Sequence, residues 1–170
     1  MDSFRRRMAS IAVAALFVVA GPVFAQRPTQ AADPPTPTGI VPGSITCEDV
    51  PYPYASSYLP LTLYGQDVRI AYMDVPPAGQ PNGHTVVLLH GMNFAGFYMG
   101  GPVDALRKEG FRVIVPDQIG FGRSSKPTIP YNFHDMAMNT HRILEHLNIS
   151  KAMIVGHSMG GMLAARFATQ

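Results

Sequence analysis

A serine stands between two glycines in the Gly-His-Ser-Met-Gly stretch at residues 156–160 of this 170-residue sequence. The apolar run 152–155 precedes the stretch, and the helix-like residues 162–168 follow it. A strand, a tight turn and a helix in this order predict a sharp turn that holds the serine hydroxyl clear of the backbone. A serine hydroxyl with access to a base can attack an acyl carbonyl. The residues therefore predict acyl transfer through Ser158.

The neighbours of the serine support this chemistry. Residues 156, 160 and 161 are glycines. We expect that side chains at these positions would collide where the strand and the helix converge. The beginning of a helix directs unpaired N–H groups toward developing negative charge. The backbone N–H of Met159 is therefore the predicted first donor to the oxyanion. A chance occurrence of the glycine–serine pattern is disfavoured by the strand before it and the helix after it.

A second turn follows the aliphatic run 85–89. Gly91 lets the backbone turn, so we predict that the backbone N–H of Met92 is the second oxyanion donor. His90 could suggest catalysis, but a histidine at the end of a buried strand more often orients its neighbours, and we favour that structural role. Asn93, Phe94 and Phe97 follow the turn and are candidate residues of the substrate pocket. Ordinary packing is the alternative for the two aromatic residues.

A glycine-rich loop at residues 117–127 follows another predicted strand. On their own, Gly120 and Gly122 are weak evidence for a phosphate-binding loop. The third glycine of a dinucleotide-binding motif is missing, and no helix follows directly.

Strands and helices alternate from residue 85 onward. Asn132 is a typical helix cap, with Asp135 three residues later. The alternation predicts an α/β fold with a mostly parallel sheet and helices on both faces. The predicted strands are 68–72, which we expect to pair with 61–64, and 85–89, 111–115 and 152–155; the predicted helices are 102–109 and those beginning at Asn132 and after Ser158.

The first 25 residues have the composition of a secretory signal peptide. Arginines at 5–7 precede the apolar run 11–20, and a cleavage-compatible sequence ends at Ala25. The run is shorter than the roughly 20 apolar residues that span a bilayer, so a cleaved signal is favoured over an anchor. We expect a bacterial protein exported to the periplasm or the medium, with membrane contact only during export. A proline-rich linker is predicted at 26–45.

Composition excludes several other classes of protein. Hydrophobic residues make up 46% of the sequence and charged residues 14%, so the chain can build a core. Removing residues 1–25 deletes three arginines and one aspartate, which leaves ten basic and ten acidic residues. The sequence contains no basic patch that would indicate nucleic acid as a partner. Cys47 is the only cysteine, so no disulfide can form within the chain.

Together, the His-Gly strand end, the Asp-x-x-Gly-x-Gly-x-Ser loop and the Gly-x-Ser-x-Gly-Gly turn resemble the α/β-hydrolase superfamily over about residues 60–170. The resemblance implies that Ser158 is the nucleophile, that Met159 and Met92 supply the oxyanion donors, and that Asp117 with residues 120–124 supports the site. Relatives that dehalogenate or open epoxides have aspartate at the nucleophile position, so serine favours a small ester, amide or related acyl substrate. No metal or organic cofactor is implied.

The sequence departs from the family after the nucleophile. The family's acid and histidine follow the serine, whereas no Asp, Glu or His follows Ser158 here. We therefore expect residues 46–170 to be the N-terminal part of a hydrolase domain, inactive alone, with its acid and histidine beyond Gln170. The strand at 152–155 would then lack a neighbour, which predicts poor solubility of the isolated piece.

Alternative functions stay open, two of them on the same catalytic apparatus. A carbon–carbon bond hydrolase and a cofactor-free peroxidase can use the same serine and histidine on the same fold. A non-catalytic binding protein, or an inactive fragment, would use the fold as a scaffold only. The sequence does not indicate the oligomeric state.

Overall fold

The computed structural model describes residues 38, 39 and 41–170. The predicted signal peptide and most of the predicted linker lie outside these residues and stay predictions. No helix in the described part is both long enough and apolar enough to cross a membrane.

The described residues form five strands, three helices and one 3-10 turn. In chain order these are β1 (Ser56–Leu63), β2 (Gln66–Val75), β3 (Thr85–Leu89), a 3-10 turn (Gly96–Tyr98), α1 (Gly100–Lys108), β4 (Arg112–Pro116), α2 (Phe133–His146), β5 (Met153–Gly156) and α3 (Met159–Ala168).

The five strands form one mixed sheet in the order β1-β2-β4-β3-β5. Strands β4, β3 and β5 are parallel, whereas β2 is antiparallel to β4 and pairs with β1 as a hairpin. The predicted α/β class is confirmed. The hairpin places two antiparallel strands beside the parallel half that contains the serine.

Helices cover both faces of the sheet, as the alternation predicted. On β3, Val87 and Leu89 belong to the apolar core beneath α2 and α3, whereas Val86 and Leu88 belong to the core beneath α1. Successive strand residues point to opposite faces. A strand covered on both faces therefore needs the unbroken aliphatic run that the sequence shows at 85–89.

The cap at the start of α2 follows the sequence prediction. The side chain of Asn132 accepts a hydrogen bond from the backbone N–H of Asp135. Phe133, the first residue of the helix, is 38% exposed, whereas Ile143 and Leu144 further along are buried. The buried face of α2 thus begins at Met136, the fourth residue of the helix.

Strand β5 is an edge of the sheet in the described part of the chain. It pairs with β3 on one side only. Its side chains alternate in exposure: Met153 and Val155 are 46% and 53% exposed, whereas Ile154 packs against the core. The predicted unpaired edge is therefore present within these residues, and poor solubility of the isolated piece stays a prediction.

Residues 47–56, which we call the N-terminal strap, lie against the glycine-rich loop. The Arg123 guanidinium donates hydrogen bonds to the carbonyl oxygens of Cys47 and Val50 and to the Ser56 hydroxyl. The same guanidinium lies 4.0 Å from the centre of the Tyr52 ring. One arginine thus fixes a segment whose sequence shows little secondary-structure pattern.

Candidate active site

Ser158 stands between the last residue of β5 and the first residue of α3. Its backbone has φ 55° and ψ −118°, a conformation that residues with a side chain rarely adopt. Such a conformation costs about 1–3 kcal/mol and persists only where the surroundings impose it. The side chain is exposed, and no other described residue forms a hydrogen bond with its hydroxyl. The turn therefore presents a free hydroxyl at the helix N-terminus, as the sequence predicted.

The glycines around the serine permit this close approach of strand and helix. A Cβ atom on Gly156 would overlap the carbonyl group of Gly160, and one on Gly160 would overlap the carbonyl group of Leu89. The prediction for Gly161 is wrong: a Cβ atom there would lie 3.7 Å from the carbonyl oxygen of Gly156, which is ordinary contact. Two glycines, rather than three, are required by the packing.

The strained backbone of Ser158 gives a prediction about stability. The free energy of unfolding should be about 1 kcal/mol higher for Ser158→Gly than for Ser158→Ala, because glycine adopts this positive φ without the steric strain that a Cβ atom causes. Both variants lack the hydroxyl, so the comparison isolates backbone strain. Urea denaturation of the full-length variants measures the difference. Equal stability of the two would contradict the inference that residue 158 is strained.

The turn after β3 lies directly against the serine. A methyl group built on Gly91 would lie 3.4 Å from the Cβ atom of Ser158. Asn93 completes the turn with φ 61°. Among the described residues, no acceptor is hydrogen-bonded to the backbone N–H of Met92 or of Met159. The two predicted donors therefore belong to adjacent turns and are both unpaired, as an oxyanion site requires.

His90 has the structural environment that the sequence favoured. The ring is fully buried, its Nδ1 lies 2.8 Å from the Gly91 carbonyl oxygen, and its Nε2 accepts the backbone N–H of Gln118 at 3.0 Å. Burial lowers the pKa of His90, so the ring is neutral at pH 7 with its proton on Nδ1. His90 thereby connects the β3 turn to the segment after β4.

Asp117 organises the glycine-rich loop from inside the protein. Its buried carboxylate accepts the backbone N–H of Gly96 at 2.6 Å, the Tyr52 hydroxyl at 2.6 Å and the backbone N–H of Arg123 at 2.8 Å. Burial and the hydrogen bond to this carboxylate raise the pKa of Tyr52, which stays a neutral donor. The Ser124 hydroxyl in turn donates to the Asp117 carbonyl oxygen at 2.6 Å. These contacts give Asp117 and its loop a supporting position near the site.

A cavity of about 540 Å³ is lined in part by Met92 and Met159, the residues of the two predicted oxyanion donors. Asn93, Phe94 and Phe97, the predicted pocket residues, are not part of its lining. Phe94 and Phe97 pack instead on one another, with their ring centres 6.3 Å apart. The lining is largely apolar and consists of Met92, Gly120, Phe121, Tyr131, Asn132, Phe133, Met136 and Met159.

The sequence offered only weak signals for these lining residues. Tyr131 and Phe133 flank the cap of α2, where an exposed aromatic residue could have indicated a binding surface. Phe121 lies within the glycine-rich loop, which sequence reasoning treated as scaffold. Their convergence on one cavity depends on how the loop folds back over the sheet.

None of the six histidines, all of which lie in the described part of the chain, forms a hydrogen bond with the Ser158 hydroxyl. His157 Nδ1 lies 3.0 Å from the Tyr98 hydroxyl, His134 contacts Arg166 and Gln170, and His141 pairs with Glu145. Nor do three His, Cys, Asp or Glu side chains in the described part of the chain cluster as metal ligands would.

A family model for the alpha/beta hydrolase fold matches residues 84–170, which contain the strand end, the loop and the serine turn described above. The chain belongs to the α/β-hydrolase family. Its mixed sheet, with α2 and α3 on one face and α1 on the other, is the N-terminal part of that fold.

Solved structures and curated relatives support this membership. A probable hydrolytic enzyme from Pseudomonas aeruginosa is 44% identical, with a TM-score of 0.71 over 75% of this chain and 41% of that one. A thermophilic esterase from Thermogutta terrifontis is 28% identical, with a TM-score of 0.59 over 67% and 41%. A haloalkane dehalogenase from Mycolicibacterium paratuberculosis is 32% identical over 70% of this chain and 40% of its own length. The chain thus spans about two fifths of these α/β-hydrolases.

Proposed function

We propose that this chain provides the nucleophile half of a serine hydrolase that acts on esters or related acyl compounds. The observation that supports this most directly is the unpaired hydroxyl of Ser158, held at positive φ beside two unpaired backbone N–H groups. A binding scaffold has no need for a strained serine at this point. Membership of the family shows that the chain is of the α/β-hydrolase type, and the serine nucleophile is proposed from the geometry of the turn.

The proposed reaction proceeds in two steps. Ser158 Oγ attacks the acyl carbon while a base removes its proton, and the carbonyl electrons move to oxygen. The N–H groups of Met159 and Met92 stabilise this oxyanion. The carbon–oxygen bond to the alcohol then breaks, and the base returns its proton to the leaving alkoxide. Water hydrolyses the acyl-enzyme by the same route and releases the acid.

The base in this proposal is a histidine beyond Gln170, since all six histidines of the 170-residue sequence lie among the described residues. None of the histidine rings described above forms a hydrogen bond with Ser158, and the solved relatives are more than twice as long as the matching part of this chain. A carboxylate partner for that histidine is proposed to lie beyond Gln170 as well.

The cavity supports a substrate with a small apolar acyl group. Met92 and Met159 both line it and also provide the proposed donors, so a carbonyl between the two N–H groups would extend into the cavity. Phe121, Phe133 and Met136 offer further apolar contact.

Labelling with a fluorophosphonate probe tests the proposal on the full-length protein. The probe phosphonylates activated serines, so the wild type should be labelled and Ser158→Ala should not be. Ser150→Ala is the matched control, because Ser150 is an exposed loop serine before β5 and should be labelled like the wild type. Labelling that persists in Ser158→Ala, or is absent from a folded wild type, would contradict the proposed nucleophile.

A further inference from the structure

The hydroxyl of Tyr98 joins the two turns of the candidate site. The backbone N–H of Gly91, in the turn after β3, donates to this hydroxyl at 3.1 Å. On the other side the hydroxyl lies 3.0 Å from Nδ1 of His157, the residue before Ser158. The tyrosine and histidine rings meet edge to face at 5.9 Å. One side chain therefore contacts both segments that present the proposed oxyanion donors.

The bridge consists of two hydrogen bonds to one oxygen. The Tyr98 oxygen accepts the Gly91 N–H at 3.1 Å, and the hydroxyl forms its second hydrogen bond with His157 Nδ1 at 3.0 Å. Loss of the hydroxyl therefore removes both hydrogen bonds at once.

We propose that Tyr98 is a positioning residue, which sets the separation between the Met92 N–H and the Met159 N–H. This inference rests on the proposed function and concerns the same site. Met92 follows Gly91 directly, and Met159 lies two residues after His157. A displacement of either contact of the Tyr98 hydroxyl would therefore move one oxyanion donor relative to the other.

The fold has independent contacts that do not depend on this hydroxyl. The His157 backbone N–H donates to the Leu89 carbonyl oxygen at 3.0 Å, which keeps the serine turn attached to β3. The Tyr98 ring packs on Phe94 and Phe97 at centre distances of 5.1 and 6.0 Å. Tyr98→Phe retains these ring contacts and removes only the bridge.

The test is steady-state hydrolysis of p-nitrophenyl butyrate by the full-length protein. Tyr98→Phe should lower kcat by about ten- to a hundredfold, because small misplacements at a reacting centre cost that much. KM should stay within about twofold, since the cavity lining is untouched. Tyr58→Phe is the matched control, because Tyr58 lies on β1 at the far edge of the sheet and should keep the wild-type kcat.

A second variant removes the same bridge from its other end. His157→Ala should also lower kcat, and the double variant Tyr98→Phe/His157→Ala should be no slower than the slower single variant. Two side chains that act through one hydrogen bond show such non-additive effects. His157→Ala also serves if Tyr98→Phe does not fold.

Distinct outcomes separate the two proposals. Wild-type kcat in Tyr98→Phe, or fully additive effects in the double variant, would overturn the positioning role while Ser158→Ala is still inactive. A fall in stability with unchanged kcat per folded molecule would overturn it equally. Activity or labelling that persists in Ser158→Ala would instead reject the serine nucleophile itself.

Discussion

Gly160→Ala should lower the free energy of unfolding by at least about 4 kcal/mol, enough to unfold many small domains. The added Cβ atom would overlap the carbonyl group of Leu89 and approach the carbonyl oxygen of His90 to 2.9 Å. Both obstacles are backbone atoms of a central strand and its turn, so no side-chain rotation relieves the overlap. Either α3 separates from the sheet or the turn at Ser158 opens.

The matched control for this prediction is one residue away. Gly161→Ala adds the same methyl group to the same helix, but at 3.7 Å from its nearest neighbour. It should stabilise the protein by up to about 1 kcal/mol, because alanine favours a helix over glycine. Urea denaturation of the full-length variants measures both changes. Similar stabilities of Gly160→Ala and Gly161→Ala would contradict the close packing of strand and helix.

Asp117→Ala should cost about 3–5 kcal/mol of stability. The carboxylate accepts the backbone N–H groups of Gly96 and Arg123 and the Tyr52 hydroxyl, and these three donors would lose their partner together. A donor left unsatisfied in the interior costs about 1–3 kcal/mol, with part of the cost relieved by water where the group is half-buried. The loss should also loosen the turn region that Gly96 anchors.

Two further variants make the Asp117 prediction specific. Asp117→Asn keeps one acceptor oxygen of similar shape and should fall between the wild type and Asp117→Ala. Asp67→Ala removes an exposed carboxylate that accepts a single hydrogen bond from Thr62 at 3.2 Å, so it should cost less than about 1 kcal/mol. Thermal melts of the full-length variants test this order. A melting temperature of Asp117→Ala close to that of Asp67→Ala would contradict the anchoring role.

The parts of the site built from backbone could be predicted from the sequence. Glycine is required at positions 156 and 160 because backbone atoms lie too close for a Cβ atom. This requirement does not depend on which side chains surround the turn. Asn132 caps a helix through a bond to Asp135 only three residues away. Such local constraints are visible in a short stretch of sequence. The positions of the serine turn and of α2 were therefore predicted closely.

The cavity could not be predicted in the same way. Phe94 and Phe97 follow the turn in sequence, but their rings form an aromatic group with Tyr98 rather than the cavity wall. Tyr131 and Met136 reach the wall because the glycine-rich loop and α2 return over the sheet. Their placement depends on packing between distant segments, which spacing along the chain does not record. The Tyr98 bridge was missed for the same reason.

The N-terminal strap has a consequence for the order in which the chain can complete its contacts during synthesis. The partners of Arg123 and Asp117 in the strap are 65 to 76 residues earlier in the chain. At about 5–20 residues per second, the ribosome takes roughly 3–15 s to cover that separation. Cys47 and Tyr52 therefore leave the ribosome well before Asp117 and Arg123, the residues that bind them, have been translated. A nascent chain interrupted before Asp117 should leave the strap sensitive to protease.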